Sequence, residues 1–206
     1  MDTKEQFVIT INRELGSGGR TVGRKLAERL AVKYYDKQLL EELISQFGLS
    51  QQELEKVKGR RQNWWTELCD KIVPAPMVDL KDDSSLLTTA DVYKLESDIL
   101  KDIASAESCI IAGRSGFFIL KDHPNKLSVF LYASKEHRIE RVMRKQGLSR
   151  EEAIEVIDKV DKGRENYTRH YSGRSRYDAR NYDLCLCMDG LSEEKAMELI
   201  LRYIRN

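Results

Sequence analysis

The sequence predicts a three-layer α/β fold in which five parallel strands form one sheet between helices. Short apolar runs alternate with segments of helical periodicity along the whole chain, and no two of these runs are joined by a hairpin turn. With 206 residues the chain is long enough to bury one large core. We therefore expect a single domain over residues 1–206.

Five apolar runs are the predicted strands, and they cover residues 7–11, 32–35, 109–112, 126–132 and 182–188. Runs without polar interruption are typical of strands that helices cover on both faces. We expect the first run to be the central strand. The last run should also be buried, with Cys185 and Cys187 as structural thiols inside it.

The predicted helices follow the strands and begin at capping residues. Apolar residues recur at helical spacing from Thr21 onward, and residues 91–106 form a further helix before the third strand. N-terminal caps are expected at Asp36, Ser134 and Ser192, and the pairs Ser50/Glu53 and Ser149/Glu152 are capping boxes.

The overall charge of the chain is close to zero. The chain has 35 basic and 34 acidic residues, so a formal charge of +1 gives no argument for nucleic acid or a membrane. No apolar run reaches the roughly 18 residues of a membrane span, and residues 1–6 do not resemble a signal peptide, so we expect a cytosolic protein. Cysteine and histidine spacing does not predict a metal cluster, and oligomeric state is left open.

A glycine cluster follows the first strand, in the segment ELGSGGRT (residues 14–21). A phosphate loop points consecutive backbone N–H groups and a helix N-terminus at an anion. In the pattern G-x-x-x-x-G-K-[ST], Glu14 would stand at the first glycine and Arg20 at the lysine. We expect Arg20 to contact the β- and γ-phosphates of ATP and Thr21 to bind Mg²⁺.

Two other basic features fit phosphate chemistry. Arg114 follows the third strand at its carboxyl end, where open parallel sheets bind ligands, and its planar guanidinium suits a phosphate dianion. Residues 159–180 hold seven Lys or Arg against three Asp or Glu, interleaved with tyrosines. Such a segment can close over phosphates and exclude water, although a basic run is also typical of a solvated helix face.

Five segments in this order resemble the cytidylate-kinase-like family of P-loop nucleoside monophosphate kinases. They are ITINRELGSGGRTVGRKLA, YYDK, CIIAGRSGFFIL, LSVFLYASKEHRIERV and DKGRENY, and the resemblance covers nearly the whole chain. It implies a P-loop kinase fold with a five-stranded parallel sheet. It also implies a helical monophosphate-binding insertion over residues 36–106 and an arginine-rich lid over residues 145–181.

The resemblance assigns roles residue by residue. It implies that the loop that binds the phosphates of ATP consists of Gly16, Ser17, Gly18, Gly19, Arg20 and Thr21. The catalytic residues that it implies are Arg20, Arg138, Arg141, Asp161 and Arg164. The implied acceptor-binding residues are Asp36, Gly113, Arg114 and Ser115.

The chain departs from the family at the acceptor. Cytidylate kinases resemble Asp-Gly-Arg-Asp after the third strand, whereas Ala112 and Ser115 flank Gly113-Arg114 here, and Ile157 stands at the position of a further lid arginine. We therefore expect Mg²⁺- and ATP-dependent phosphoryl transfer to a CMP-like or related small phosphorylated acceptor, with loose base selectivity. A nucleotide-binding regulator without turnover is the alternative, and nucleic-acid binding through the basic segment is a third reading.

Overall fold

The computed structural model describes residues 1–36 and 89–205. Its strands are β1 Val8–Arg13, β2 Lys33–Tyr35, β3 Cys109–Ala112, β4 Lys126–Tyr132 and β5 Leu184–Cys187. Its helices are α1 Gly19–Leu30, α2 Thr89–Ala106, α3 Gly116–Ile119, α4 Lys135–Gln146, α5 Arg150–Ser172 and α6 Glu193–Arg205, with a 3₁₀ turn at Ala179–Asn181. The predicted helix after Asp36, the Ser50/Glu53 capping box and most of the predicted insertion lie outside the described residues.

The five strands form one parallel sheet in the order β2-β3-β1-β4-β5, which confirms the predicted fold class. β1 is central, with Ile9 paired to Ile110 of β3 on one side and to Leu127 of β4 on the other. Because all strands are parallel, their carboxyl ends lie along one edge of the sheet. The loops that follow β1 and β3 therefore lie side by side.

Helices cover both faces of the sheet. On one face, α1 and α6 pack against Ile9, Ile11 and Ile110 in the main apolar core. On the other face α3 packs closely, since a Cβ on Gly116 would lie within 3.5 Å of side-chain atoms of Thr10 and Ile111. The opposite orientation of successive residues along β1 gives this three-layer arrangement.

The last strand differs from its prediction. β5 lies at the edge of the sheet, and both Cys185 and Cys187 are exposed, so the expectation of a buried strand was wrong. Leu184 and Leu186 face inward and are half buried. Half-buried and exposed side chains therefore alternate along β5, as is typical of a strand that is covered on one face. The predicted capping box of Ser149 and Glu152 is present in both directions at the start of α5.

No helix in the described part of the chain combines the length and apolar character that a membrane span requires. Within residues 1–36 and 89–205, no three His, Cys, Asp or Glu side chains are grouped as metal ligands.

The central position of β1 predicts that Ile11 is a major contributor to stability. Ile11 is fully buried, so Ile11→Ala should lower the free energy of unfolding by about 2–5 kcal/mol, through lost apolar burial and the cavity that remains. Leu199→Ala on α6 is the matched control, because that side chain is 44% exposed. Urea denaturation of the two variants measures the difference, and equal losses would contradict the assignment of Ile11 to the core.

Candidate active site

The glycine loop between β1 and α1, residues 16–21, has the backbone of an anion-binding turn. Gly16 and Gly18 have positive φ angles of 87° and 85°, and Gly18 is the N-terminal cap of α1. A Cβ on Gly16 would lie 2.7 Å from the backbone oxygen of Arg138, so glycine is required where the loop packs on α4. We call residues 16–21 the phosphate loop.

Several donors of the phosphate loop are available for a ligand. The backbone N–H groups of Gly16, Gly18 and Gly19 have no hydrogen-bond partner among the described residues. They stand at the N-terminus of the 12-residue helix α1, whose dipole favours a negative charge there. The loop opens into a first cleft of about 590 Å³, and this set of N–H donors suits an anion.

Arg20 makes a bidentate contact with Asp36, just beyond the end of β2. Its Nε and Nη2 donate to Oδ2 of Asp36 over 3.0 and 2.7 Å. This hydrogen bonding raises the pKa of Arg20, and the guanidinium side chain remains half exposed while the carboxylate is buried. The structure therefore places these two predicted site residues together at the first cleft, in contact with each other.

Asp161 of α5 joins the phosphate loop to two helices. Its Oδ1 accepts from the backbone N–H of Leu15 over 3.0 Å, and its Oδ2 accepts from Nη1 of Arg138 over 2.5 Å. Nη1 of Arg164 and Nη1 of Arg176 each lie 3.4 Å from Oδ1. One buried carboxylate thus fixes the loop against α4 and α5 and offsets the charge of three guanidinium groups.

Arg13, the last residue of β1, lies between two clefts. Its side chain lines the first cleft and also a second cleft of about 490 Å³ between α5 and the ends of β1 and β3. Burial lowers the pKa of Arg13. The backbone oxygen of Arg13 accepts hydrogen bonds from Arg164, over 3.2 Å, and from Arg176.

Arg164 also lines both clefts. Burial lowers its pKa to about 10, and repulsion from Arg13 and Arg176 acts in the same direction, whereas Asp161 opposes it. A crowded group of cations with little access to water is a favourable environment for a polyanion. The boundary between the two clefts therefore carries the cations Arg13 and Arg164, with Arg176 beside them.

Arg114 projects from the turn after β3 into the second cleft. Its Nη2 lies 2.7 Å from Oε1 of Glu96, which is 1% exposed on α2, and Tyr167 donates its hydroxyl to Oε2 of the same carboxylate over 2.7 Å. The guanidinium carbon lies 5.6 Å from the ring centre of Tyr167. Burial raises the pKa of the Tyr167 hydroxyl, and Glu96 raises it further, so this hydroxyl stays a donor.

The turn that carries Arg114 is strained. Gly113, Arg114 and Ser115 have φ angles of 85°, 52° and 52°, so two consecutive residues with side chains adopt the left-handed region. The turn is held by its surroundings, because the hydroxyl oxygens of Ser115 and Thr168 lie 3.2 Å apart. Such strain is concentrated at functional sites, and here it directs Arg114 into the second cleft.

The structure groups most of the predicted site residues around the two clefts. The first cleft is lined by Gly16, Gly18, Gly19, Arg20, Thr21, Asp36, Arg141 and Arg164. The second is lined by Gly113, Arg114, Ser115 and Arg164. Ser17, Arg138 and Asp161 line neither cleft, since they are buried behind the loop. Nη2 of Arg141 is 3.4 Å from the hydroxyl of Thr21 and 2.6 Å from Glu193.

Three residues of the site were missed in the sequence. Arg13 stands two residues after the predicted first strand, so the rule that ligands bind at carboxyl ends of strands could have identified it. Arg176 lies in the basic segment without a distinguishing pattern. Glu96 lies in the middle of a helix, and its role depends on where that helix packs, for which the sequence holds no local signal.

Comparison with known proteins gives a consistent result. Residues 8–190 match the cytidylate kinase-like family. The chain is 26% identical to the cytidylate kinase of Sulfurisphaera tokodaii, covering 96% of this chain and 95% of that protein. It is 27% identical to the cytidylate kinase of Methanopyrus kandleri, covering 94% of this chain and 90% of that protein.

Solved structures agree on the fold. The crystal structure of an uncharacterized protein from Eubacterium ventriosum has a TM-score of 0.73 at 27% identity, with 98% of this chain and 99% of that chain covered. A shikimate kinase from Bacteroides thetaiotaomicron has a TM-score of 0.53 at 17% identity, with 97% and 99% covered. The second likeness concerns the fold alone.

The position of Asp161 generates a stability prediction. Asp161→Asn removes the nearer of the two carboxylates that pair with Arg138, so it should lower the free energy of unfolding by about 3–5 kcal/mol, the usual cost of breaking a buried ion pair. Asp158→Asn on the same helix is the control, because Asp158 pairs with Lys135 at the surface and its loss should have little effect. Urea denaturation provides the comparison, and similar losses in both variants would contradict the role given to Asp161.

Proposed function

This chain belongs to the cytidylate kinase-like family, and we propose that it is an ATP-dependent phosphotransferase. It would move the γ-phosphate of ATP to a nucleoside monophosphate of the CMP or dCMP type, or to a related small phosphorylated acceptor. One observation carries the proposal: two adjacent clefts, one with a phosphate loop and the other with Arg114, share the cations Arg13 and Arg164 along their boundary. Phosphoryl transfer depends mainly on such positioning and charge neutralisation.

The first cleft would bind the polyphosphate of ATP. The free N–H groups of Gly16, Gly18 and Gly19 would donate to its oxygens, and Arg141 and Arg164 would add charge from α4 and α5. The hydroxyl of Thr21 stands in the first turn of α1 and fits a Mg²⁺ ligand. When bound, Mg²⁺ would neutralise charge on the phosphates.

Arg138 and Asp161 would act as positioning residues. Neither lines a cleft, but their ion pair and the hydrogen bond from Leu15 to Asp161 fix the loop that carries the N–H donors. Arg20, which the sequence pattern assigns to the phosphates, lines the first cleft, but its guanidinium is held by Asp36.

The second cleft would bind the acceptor phosphate through Arg114. Glu96 and Tyr167 hold this guanidinium from one side, which fixes its direction at small entropic cost. One carboxylate oxygen of Glu96 pairs with Arg114, and the other accepts the hydrogen bond from Tyr167. Ala112 and Ser115 supply no further carboxylate that could bind a base or a ribose. A site rejects a wrong base when that base leaves buried polar groups of the site without hydrogen bonds. Because no carboxylate of this kind flanks Arg114 at positions 112 and 115, we expect broad selectivity among monophosphates.

A regulatory protein that binds nucleotide without turnover is the second candidate. The contact of Arg20 with Asp36 favours the regulator, because Asp36 holds the cation that the sequence pattern places on the phosphates. The two candidates differ in one measurement. The enzyme releases ADP when it is mixed with ATP, Mg²⁺ and an acceptor, whereas the regulator binds ATP and releases none.

The first functional prediction is turnover with loose selectivity. A coupled assay of ADP release should give kcat/KM values for CMP, dCMP, UMP and AMP that lie within about tenfold of each other. This is expected when no side chain of the site forms selective hydrogen bonds with the base. A strong preference for CMP and dCMP would contradict the selectivity claim. Binding of ATP with no turnover on any monophosphate would contradict the proposed enzyme and favour the regulator.

The role of Arg114 is tested in the same assay. Arg114→Ala should lower kcat/KM for the monophosphate by about 10²–10³-fold, the usual loss for one charged donor, with a small change in KM for ATP. Arg114→Lys keeps a charge beside Glu96 and serves as the variant that preserves the buried pair. The exposed Arg202→Ala on α6 is the control. An Arg114→Ala enzyme with unchanged acceptor kinetics would refute the phosphate role.

A further inference from the structure

The side chain of Arg13 occupies space that a side chain at position 19 would need. A Cβ on Gly19 would lie 2.6 Å from Cβ of Arg13 and 2.9 Å from its Cγ. Contacts this short do not occur between real side chains, and the atoms involved are at the rigid base of the arginine rather than at its flexible end. Gly19 is therefore required to be glycine as long as residue 13 is arginine.

The other end of Arg13 reaches the acceptor turn. A Cβ on Gly113 would lie 2.5 Å from Nη1 of Arg13. The side chain thus passes from Gly19 in the phosphate loop to Gly113 beside Arg114, and glycine occurs at both ends of its path. This places the guanidinium between the two clefts, where a phosphoryl group would pass from donor to acceptor.

The sequence pattern has a second register that agrees with this geometry. If G-x-x-x-x-G-K-[ST] is moved one residue toward the N-terminus, Arg13 stands at the first glycine, Gly19 at the lysine and Arg20 at the Ser/Thr position, with Thr21 directly after it. In this register the chain has exchanged the glycine and the cation of the pattern. Gly18 is then the second glycine of the pattern, and it caps α1. The first helical residue is Gly19, which stands where the pattern has a lysine side chain.

Among the described residues, the guanidinium of Arg13 has no counterion of its own. In the described part of the chain, no carboxylate lies within ion-pair distance of its guanidinium, and no hydrogen bond from that group is present. Burial lowers the pKa of Arg13, and the nearby charges of Arg176 and Arg20 lower it further. Tyr34 and then Asp36 raise the pKa of Arg13 and so act in the opposite direction, but the Asp36 carboxylate is hydrogen-bonded to Arg20. A partly buried cation that faces other cations is costly unless an anion binds beside it.

From these observations we infer that Arg13, and not Arg20, is the cation of the phosphate loop. Its guanidinium would contact the transferring phosphate from the side of Gly19, as the lysine does in the usual loop. This inference rests on the proposed phosphotransferase function for the catalytic step. The binding of triphosphate by Arg13 does not depend on turnover.

An exchange of the two residues is the sharpest test. Arg13→Gly should lower kcat by at least a hundredfold and weaken binding of inorganic tripolyphosphate at least tenfold by calorimetry. Gly19→Lys alone should be inactive, because Arg13 blocks the new side chain. The double variant Arg13→Gly/Gly19→Lys relieves the clash and supplies a lysine, so it should recover at least tenfold in kcat over Arg13→Gly. Arg202→Ala, exposed on α6, is the matched control and should behave as the original protein.

Three results would overturn the inference. The first is an Arg13→Gly variant that keeps kcat and tripolyphosphate affinity within threefold. The second is a folded double variant that is no more active than Arg13→Gly. The third is a larger loss of kcat and of tripolyphosphate affinity in Arg20→Ala than in Arg13→Gly.

The tripolyphosphate binding measurement tests this inference separately from the proposed function. If the original protein releases no ADP on any acceptor, the phosphotransferase proposal fails, while tripolyphosphate affinity still reports on Arg13. Thermal melting of each variant shows whether it is folded. If Arg13→Gly does not fold, Arg13→Gln keeps the length of the side chain without its charge, and the same losses are expected from it.

Discussion

The site depends on one buried carboxylate. Asp161 accepts from the backbone of Leu15, pairs with Arg138 and faces Arg164 and Arg176, so it holds the phosphate loop in place and keeps several cations close together. Without it, mutual repulsion would separate these guanidinium groups. The charges are nevertheless not balanced within the described part of the chain, since Asp161 is shared by three arginines and no ion pair of Arg13 is present there. A bound anionic ligand would balance these charges, and its binding would then stabilise the site.

Sheet topology brings the two halves of the site together. β1 lies between β3 and β4, and all strands end at the same edge, so the loop after β1 and the turn after β3 are neighbours although about a hundred residues separate them in sequence. Helix α5 then crosses both clefts and supplies Arg164 to each. The strained turn at Arg114 and the glycines at positions 19 and 113 are local adjustments to this crowding.

Much of this could be predicted from the sequence, because strong local signals exist for it. β3 and β4 have the predicted limits, since continuous apolar runs between polar residues mark strands covered on both faces. The burial of β5 was predicted wrongly, because alternation of Cys and Leu does not reveal that a strand lies at an edge. The glycine loop and Arg114 were found from motifs. Arg13 and Glu96 were not, because their roles depend on which segments pack together.

The assignment of the loop cation shows the same limit. A motif read in one register assigns the charge to Arg20, whereas the packing of Arg13 against Gly19 favours the other register. A linear pattern cannot distinguish a side chain directed at the ligand from one that is paired with Asp36. The choice between the two arginines therefore required the distances between them and their neighbours.

The central claim is that the donor phosphates bind at the phosphate loop with Arg13 against the transferring group. A crystal structure with a non-hydrolysable ATP analogue, Mg²⁺ and CMP tests it most directly. The account predicts the triphosphate on the N–H groups of Gly16, Gly18 and Gly19, with the γ-phosphate within about 3 Å of the Arg13 guanidinium. A triphosphate bound elsewhere, or one bound at the loop with Arg20 on the γ-phosphate and Arg13 turned away, would contradict it.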